Sequence, residues 1–81
     1  MMLPMSEVVL YSAPWCPYCV MLEKKLKVMD ILFLYKNVDE PGIREEMNKK
    51  TDNNQTIPVL FIGEQYWINP GMKVLAEQFQ K

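Results

Sequence analysis

Cys16 and Cys19 are the only two cysteines of the 81-residue chain, and they stand three positions apart in the run Trp15-Cys16-Pro17-Tyr18-Cys19. Residues i and i+3 of a helix lie on one face, so the Cα atoms of the two cysteines fall within the ~4.4–6.8 Å that a disulfide requires. Such a bridge can close and reopen without refolding of the chain. The spacing therefore predicts reversible dithiol chemistry at the beginning of a helix.

Pro17 favours the first helical position, because its fixed φ is already helical and its missing N–H would have no partner there. Cys16 is then the N-cap residue. Its sulfur faces free backbone N–H groups and the positive end of the helix dipole, which favour the thiolate. We therefore predict Cys16 as the nucleophile and Cys19, one turn further in and shielded with a higher pKa, as the resolving thiol.

The composition excludes several classes of function. The formal net charge is −1, and the nine basic residues form no one-sided cluster, so neither nucleic acid nor a membrane surface is an expected partner. The chain has no histidine, which excludes Cys–His catalysis and histidine metal sites. Two cysteines cannot complete a tetrahedral thiolate site within one chain, so no metal ligand is predicted.

The length predicts one small domain over 1–81, which we expect to be a monomer. Residues 1–7 lack a basic segment followed by a long apolar run, and no stretch reaches about 18 apolar residues. We therefore expect a cytoplasmic location. In that compartment two cysteines are more often redox-active or metal-binding than joined in a structural disulfide.

Hydrophobic patterning in the first half of the chain predicts a strand, a helix and a strand. The apolar runs over 7–12 and 31–38 indicate buried strands. The segment from Pro17 to about Met29 is typical of an amphipathic helix with basic residues opposite its apolar stripe. That stripe is predicted to contain Tyr18, Leu22, Leu26 and Met29, with Met21 beside them.

The second half predicts a helix, a hairpin and a last helix. The polar helix over 43–50 turns Ile43 and Met47 inward and places charged pairs at i,i+4 on its solvated face. Strands over 56–62 and 66–68 form the hairpin, and the last helix is predicted to begin with Asn69 as its cap and Pro70 just inside. The charged pairs are Glu45 with Lys49 and Glu46 with Lys50.

The resulting order, βαβαββα, places a parallel pair and an antiparallel hairpin in one four-stranded mixed sheet with three helices on its faces. This is an α/β architecture of the thioredoxin-like type.

With that order in place, the chain resembles a glutaredoxin. Cys16-Pro17-Tyr18-Cys19 matches the dithiol active-site motif of that family, and Thr56-Ile57-Pro58 matches its Thr-Val-Pro segment. The resemblance implies a thiol–disulfide oxidoreductase that uses glutathione or another low-molecular-weight thiol as co-substrate and holds no tightly bound cofactor. Its implied partners are disulfide-containing or thiolated proteins.

The resemblance also implies that the Ile57–Pro58 peptide bond is cis, which turns the backbone of Ile57 toward Cys16. The N–H and C=O of Ile57 could then pair with the cysteinyl backbone of a bound thiol peptide, as in strand addition. The alternative is an ordinary edge-strand or turn proline at this position, since a proline removes a ladder donor.

The segment 68–73 departs from glutathione-using relatives, which usually carry Gly-Gly followed by an Asp for the glutathione α-amino group. Here it reads Ile-Asn-Pro-Gly-Met-Lys and has no acidic residue. The run 54–58 together with Asn69-Pro70 is more similar to the mycoredoxin-like bacterial branch. The NrdH-type redoxins, electron donors to ribonucleotide reductase, are a further relative whose C-terminal signature is not visible here.

Several other residues are candidates for thiol or substrate binding. Trp15 either offers an exposed docking surface or packs on the first strand, and Tyr18 either faces the site or packs in the core. Gln55 and Thr56 either hydrogen-bond a thiol carboxylate or are solvated loop residues. Since Tyr66 and Trp67 alternate on a strand, one should face the core and the other solvent or ligand. The binding candidates are thus Trp15, Pro17, Tyr18, Gln55, Thr56, Ile57, Pro58, Asn69 and Pro70.

Two further classes of function stay open from the residues. One is an iron–sulfur cluster carrier in which Cys16 from two subunits and two small thiols ligate the cluster. The other is a binding module whose disulfide is only structural.

Overall fold

The computed structural model describes residues 7–79. The expectation of a cytoplasmic location used residues 1–7, most of which lie outside this range. The seven elements follow in the predicted βαβαββα order. Among residues 7–79, none of the helices is long and apolar enough to span a bilayer. The elements are β1 (Val8–Ser12), α1 (Pro17–Val28), β2 (Leu34–Asn37), α2 (Ile43–Lys50), β3 (Val59–Ile62), β4 (Gln65–Ile68) and α3 (Met72–Phe79).

The four strands form one mixed sheet in the order β2-β1-β3-β4. The β1 and β2 strands are parallel, with Leu10 opposite Tyr35, whereas β3 is antiparallel to both β1 and β4. In the antiparallel ladders, Leu60 lies opposite Leu10 on one side and opposite Trp67 on the other. The predicted four-stranded mixed sheet of the thioredoxin-like fold is therefore confirmed.

Side chains that alternate along β1 divide the core into two clusters, because successive residues of a strand point to opposite faces. Val9 and Tyr11 pack under α2 together with Met47, in what we call the α2-side cluster. Leu10 packs with residues of α1 and α3 in the α1/α3-side cluster. Each fully buried leucine contributes roughly 1.5–3 kcal/mol relative to an exposed one. The buried leucines of the second cluster are Leu10, Leu22, Leu26, Leu60 and Leu75.

The buried stripe of α1 differs from the prediction by one residue at its start. Cys19, Leu22 and Leu26 are its buried positions, at i, i+3 and i+7, whereas Tyr18 and Met21 are exposed. Because the small thiol of Cys19 takes the inward position of the first turn, the phenol of Tyr18 is directed to solvent. Of the two alternatives for Tyr18, packing in the core is therefore excluded, and its predicted place on the buried stripe is wrong.

The second strand is shorter and more exposed than predicted. It spans only Leu34–Asn37 at the sheet edge, where β1 is its one neighbour among residues 7–79, and no residue in it is fully buried. Of the apolar residues at the start of the run, Ile31 and Phe33 pack partly into the α1/α3-side cluster, whereas Leu32 and Leu34 are exposed. An edge position explains why an apolar sequence here is not a buried strand.

The last helix begins later than predicted, at Met72. Asn69 has a left-handed φ of 49°, and its N–H donates to the carbonyl of Pro58 at 2.8 Å. This hydrogen bond joins the end of β4 to the loop before β3. Asn69 is therefore a turn residue and not a helix cap, and Pro70 lies before the helix.

Glu46 makes long-range contacts instead of the predicted pair with Lys50. Its carboxylate accepts hydrogen bonds from the hydroxyl of buried Tyr11 and from the ammonium of Lys36, which links α2 to β1 and β2. These bonds lower the pKa of Glu46, with the Lys36 bond the larger cause. The predicted i,i+4 pairs are absent from residues 7–79, whose ion pairs are Glu23–Lys27, Lys36–Glu46 and Asp39–Arg44.

We expect Glu46→Gln to lower the free energy of unfolding by about 1–2 kcal/mol at neutral pH, because two hydrogen bonds lose their charged acceptor. A carboxylate whose pKa falls on folding stabilises the protein above its unfolded-state pKa, roughly 4.3, and this contribution is lost as the pH falls through the folded-state pKa. Urea denaturation at about pH 7 and about pH 3 measures the difference, which should shrink in acid.

The matched control is Glu45→Gln on the exposed neighbouring position of α2. It should change the stability by no more than about 0.5 kcal/mol at either pH. An equal loss for Glu46→Gln at both pH values would show that its charge does not contribute.

Candidate active site

The N-terminus of α1 holds the sulfur of Cys16 against the helix backbone. Cys16 is the N-cap, with an extended backbone at φ −93° and ψ 115°, and Pro17 follows in the first turn. The Sγ of Cys16 accepts a hydrogen bond from the N–H of Cys19 at 3.3 Å. The predicted local geometry is thus observed, and a free N–H at the positive end of the helix contacts the sulfur.

Both cysteines are free thiols and both belong to the α2-side cluster. The residue Cys16 is 6% exposed, and Cys19 is completely buried. Of the two cysteines, only Cys16 has any exposed surface, so Cys19 is open to attack solely from within the protein.

The thiol of Cys19 is held in its protonated form. Burial raises the pKa of Cys19 to about 11, and its hydrogen bonding with Cys16 adds to the rise. The side chain of Ser12 and the backbone of Ala13 act in the opposite direction and lower this pKa. The sequence-based expectation of a shielded Cys19 with a higher pKa agrees with this environment.

The loop before β3 packs on the cluster that contains the two cysteines. The Ile57–Pro58 peptide bond is cis, Pro58 is buried, and Ile57 packs partly on the α2-side cluster that contains both thiols. Hydrogen bonds within residues 7–79 use neither the N–H nor the C=O of Ile57. This backbone is therefore left with an unused donor and acceptor close to the dithiol.

Trp15 and Tyr18 are the two large exposed aromatic residues beside Cys16. They are 63% and 62% exposed, so neither packs in the core. The indole Nε1 of Trp15 donates to Oδ2 of Asp39 at 2.6 Å, and Oδ1 of Asp39 lies 3.5 Å from a guanidinium nitrogen of Arg44. Trp15 is therefore oriented by an acidic partner that the sequence analysis did not identify.

The loop residues Gln55 and Thr56 are exposed, and the side chain of Asn54 fixes their backbone. Its Nδ2 donates to the carbonyl of Thr56 at 2.9 Å, and its Oδ1 accepts from the Thr56 N–H at 3.2 Å. Asparagine often forms hydrogen bonds to the backbone two residues on in turns. Its presence shortly before Pro58 could therefore have predicted that Asn54 holds the backbone of Thr56. The structure also joins Asn69 to this loop through Pro58, as described above, and buries Pro70.

The hairpin aromatics divide between the two faces of the sheet. Tyr66 packs on the α2-side cluster, 5.2 Å between ring centroids from Phe61, and its hydroxyl donates weakly to the carbonyl of Thr51 at 3.4 Å. Trp67, the next residue of β4, points to the opposite face. Both are half-buried, so the expectation of one core residue and one solvent residue is only partly met.

Ser12, which stands four residues before Cys16, was not identified from the sequence. It ends β1, is almost completely buried, and its hydroxyl has no hydrogen-bond partner of ordinary geometry. Burying a hydroxyl in this way costs about 1–3 kcal/mol. A polar residue at the end of an otherwise apolar strand is the signal that could have drawn attention to it.

No group of three or more histidine, cysteine, aspartate or glutamate side chains within 7–79 could hold a metal ion. The site thus contains one helix-capping thiol, one buried thiol and the loop backbone of Ile57 with an unused donor and acceptor.

Comparisons with known proteins agree with this geometry. A family model described as Glutaredoxin matches residues 8–67. A glutaredoxin from Pseudomonas aeruginosa is 34% identical over 61 residues, which cover 74% of this chain and 71% of that relative.

Solved structures give the same result for the fold. The crystal structure of a glutaredoxin from Archaeoglobus fulgidus has a TM-score of 0.80 at 22% identity and covers 95% of this chain and 89% of its own. A glutaredoxin from Brucella melitensis, solved in solution, has a TM-score of 0.68 at 27% identity, with 94% and 84% covered. Since the matched residues include both cysteines and the cis-proline segment, the chain belongs to the glutaredoxin family.

Proposed function

We propose that this protein reduces protein disulfides, or mixed disulfides with a low-molecular-weight thiol, with Cys16 as nucleophile and Cys19 as resolving thiol. Membership of the glutaredoxin family supports a thiol–disulfide oxidoreductase role in general. The observation that carries the specific assignment is the hydrogen bond from the Cys19 N–H to Cys16 Sγ, with a second, fully buried thiol one turn behind it.

The reaction follows from that arrangement in two exchanges. The thiolate of Cys16 attacks a substrate disulfide R–S–S–R′, so that a bond forms between Cys16 and the R sulfur and R′S⁻ leaves with the electron pair. Cys19 then loses its proton and attacks Cys16, which forms the intramolecular disulfide and releases RS⁻. The two thiolates take up protons, so the dithiol is oxidised by two electrons and the substrate is reduced by two.

Substrate binding is proposed to use the surfaces next to Cys16. The unused N–H and C=O of Ile57 can pair with an extended segment that carries the target sulfur. Trp15 and Tyr18 provide exposed aromatic surface for a protein partner, and the exposed loop residues Gln55 and Thr56 provide polar groups for a small thiol. Pro17, Pro58, Asn69 and Pro70 shape this surface, and the protein is proposed to act as a monomer in the cytoplasm without a tightly bound cofactor.

We expect Cys16→Ser to reduce disulfide exchange to the uncatalysed background, because a serine hydroxyl is not ionised at neutral pH. Cys19→Ser should keep the reaction with a mixed disulfide of a small thiol, in which a second molecule of that thiol replaces the resolving cysteine. The measurement is the rate of reduction of a glutathionylated peptide and of an intramolecular protein disulfide. Circular dichroism of both variants provides the control for folding.

The opposite pattern, with activity kept in Cys16→Ser and lost in Cys19→Ser, would reverse the assigned roles. Equal loss in both variants with the glutathionylated peptide would contradict a reaction at a single thiol.

We propose that the charge at the start of α3 makes glutathione a poor co-substrate. No acidic residue lies in segment 68–73 to bind an α-ammonium group, and Lys73 is exposed there. We therefore expect kcat/KM for a glutathione mixed disulfide not to exceed the values for mycothiol or bacillithiol mixed disulfides. Lys73→Asp should raise the glutathione value by about two- to fivefold, which is the range of an exposed ion pair.

Lys49→Asp, which makes the same charge change on the exposed face of α2, is the matched control and should raise the glutathione value by less. A preference of wild type for glutathione above about tenfold would show that another contact supplies the recognition.

A further inference from the structure

Two loops meet beside Cys16, one after β1 and one after β2. The two strands are parallel and end in register, with Ser12 opposite Asn37. The N–H of Val38 donates to the carbonyl of Ser12 at 2.9 Å, so the pairing continues one residue beyond the strands. The loop that leaves β2 is thereby held next to the loop that carries Trp15 to the start of α1.

Asp39 in the loop after β2 holds the indole of Trp15. The indole Nε1 donates to Oδ2 of Asp39 at 2.6 Å, across 24 residues of sequence, and the charged acceptor makes this a strong hydrogen bond. Asp39 is itself fixed at two points. Its N–H donates to Oδ1 of Asn37 at 2.8 Å, and its Oδ1 lies 3.5 Å from a guanidinium nitrogen of Arg44 on α2.

The exposed indole of Trp15 thus has its one polar group already partnered. An indole N–H that becomes covered normally needs an acceptor, because leaving it without one costs free energy. Asp39 supplies that acceptor from within the protein. A partner that covers the exposed ring therefore meets apolar surface, directly beside the cysteine that we assign as nucleophile.

The same hydrogen bond limits the orientations of the ring before any partner binds. An exposed side chain without such a bond samples several rotamers, and its ordering on binding weakens the affinity. Because Asp39 keeps Trp15 in one orientation in the free protein, less conformational entropy is lost when a target covers the indole.

We propose that Asp39 is a positioning residue that holds the Trp15 indole ready for an apolar side chain next to the target cysteine of an extended polypeptide. The inference rests on the proposed function and adds to it a means of selecting among protein targets. Asp39 acts through the indole and takes no part in the sulfur exchange.

The test compares two short peptides, each with one cysteine in a mixed disulfide with glutathione. The two residues on each side of the cysteine are leucine in one peptide and asparagine, which has nearly the same size, in the other. Wild type should prefer the leucine peptide. Asp39→Ala should lower kcat/KM for that peptide by about three- to tenfold, the range for one side chain that must be ordered on binding.

The loss should appear in KM and not in kcat, because the indole contributes equally to the bound peptide and to the transition state. For the asparagine peptide, the change in kcat/KM should stay below about twofold, since this peptide gains little from an apolar surface. Circular dichroism provides the control for folding of each variant.

Two further variants separate the hydrogen bond from the charge. Asp39→Asn keeps an oxygen that can accept from the indole, so its kcat/KM for the leucine peptide should stay within about twofold of wild type. Glu40→Ala removes the same charge from the next, exposed position and should change the value for neither peptide.

A double-mutant cycle tests whether Asp39 acts through the indole. Trp15→Phe keeps an aromatic ring and removes the N–H donor. In that background, Asp39→Ala should have no further effect on the leucine peptide, because the bond that it would break is already absent.

A direct measurement follows the indole without any substrate. Trp15 and Trp67 are the two tryptophans of the chain, so the Trp15 indole N–H signal in an NMR spectrum is assigned by its loss in Trp15→Phe. This proton should exchange with solvent faster in Asp39→Ala than in wild type, whereas Glu40→Ala should leave its exchange rate unchanged.

An unchanged preference for the leucine peptide in Asp39→Ala would overturn the role of Asp39. So would an equal loss for both peptides, an equal effect of Glu40→Ala, or a full additional loss from Asp39→Ala in the Trp15→Phe background. Failure of the proposed function has a different signature, because wild type would then reduce neither peptide faster than a free thiol does.

Discussion

The central strand β1 is the constraint on which the rest of the structure depends. All five of its residues are buried, and it pairs with β2 on one side and β3 on the other. Because successive side chains of β1 point to opposite faces of the sheet, Tyr11 lies on the α2 side and Leu10 on the α1/α3 side. A shift of one residue in the pairing of β1 would exchange these two faces and move Tyr11 away from Glu46. The register of this one strand therefore determines both clusters and the position of the dithiol.

The dithiol site is the direct continuation of that strand. After Ser12 the chain turns through Ala13 and enters α1 with Cys16 as the cap, so the sulfur meets a free N–H of the first turn. Cys19 follows one turn later and is completely buried. The two cysteines therefore occupy contrasting environments, one at a helix terminus and the other in the core, although they are only three residues apart.

Local rules were sufficient for much of this arrangement. The element order, the position of Pro17 and the capping role of Cys16 could be predicted from sequence, because each depends on neighbouring residues and on helix geometry. The inward positions Ile43 and Met47 of α2 followed from helical periodicity in the same way.

The remaining features depend on tertiary contacts that a local pattern does not contain. The exposure of β2 reflects its edge position, and the partners of Glu46 lie on two other strands. The left-handed turn at Asn69 is fixed by a hydrogen bond to the distant Pro58. The burial of the Ser12 hydroxyl likewise depends on the helices that pack on the sheet, so a lone serine in the sequence did not reveal it.

Under the proposed function, the low exposure of Cys16 would favour some targets over others. The residue is 6% exposed, so a target sulfur must come close to the surface of the protein to react with it. A disulfide on a protruding loop or a short peptide can make that approach more readily than one inside a rigid domain. We therefore expect the mobility of a target to enter its selection together with its reduction potential.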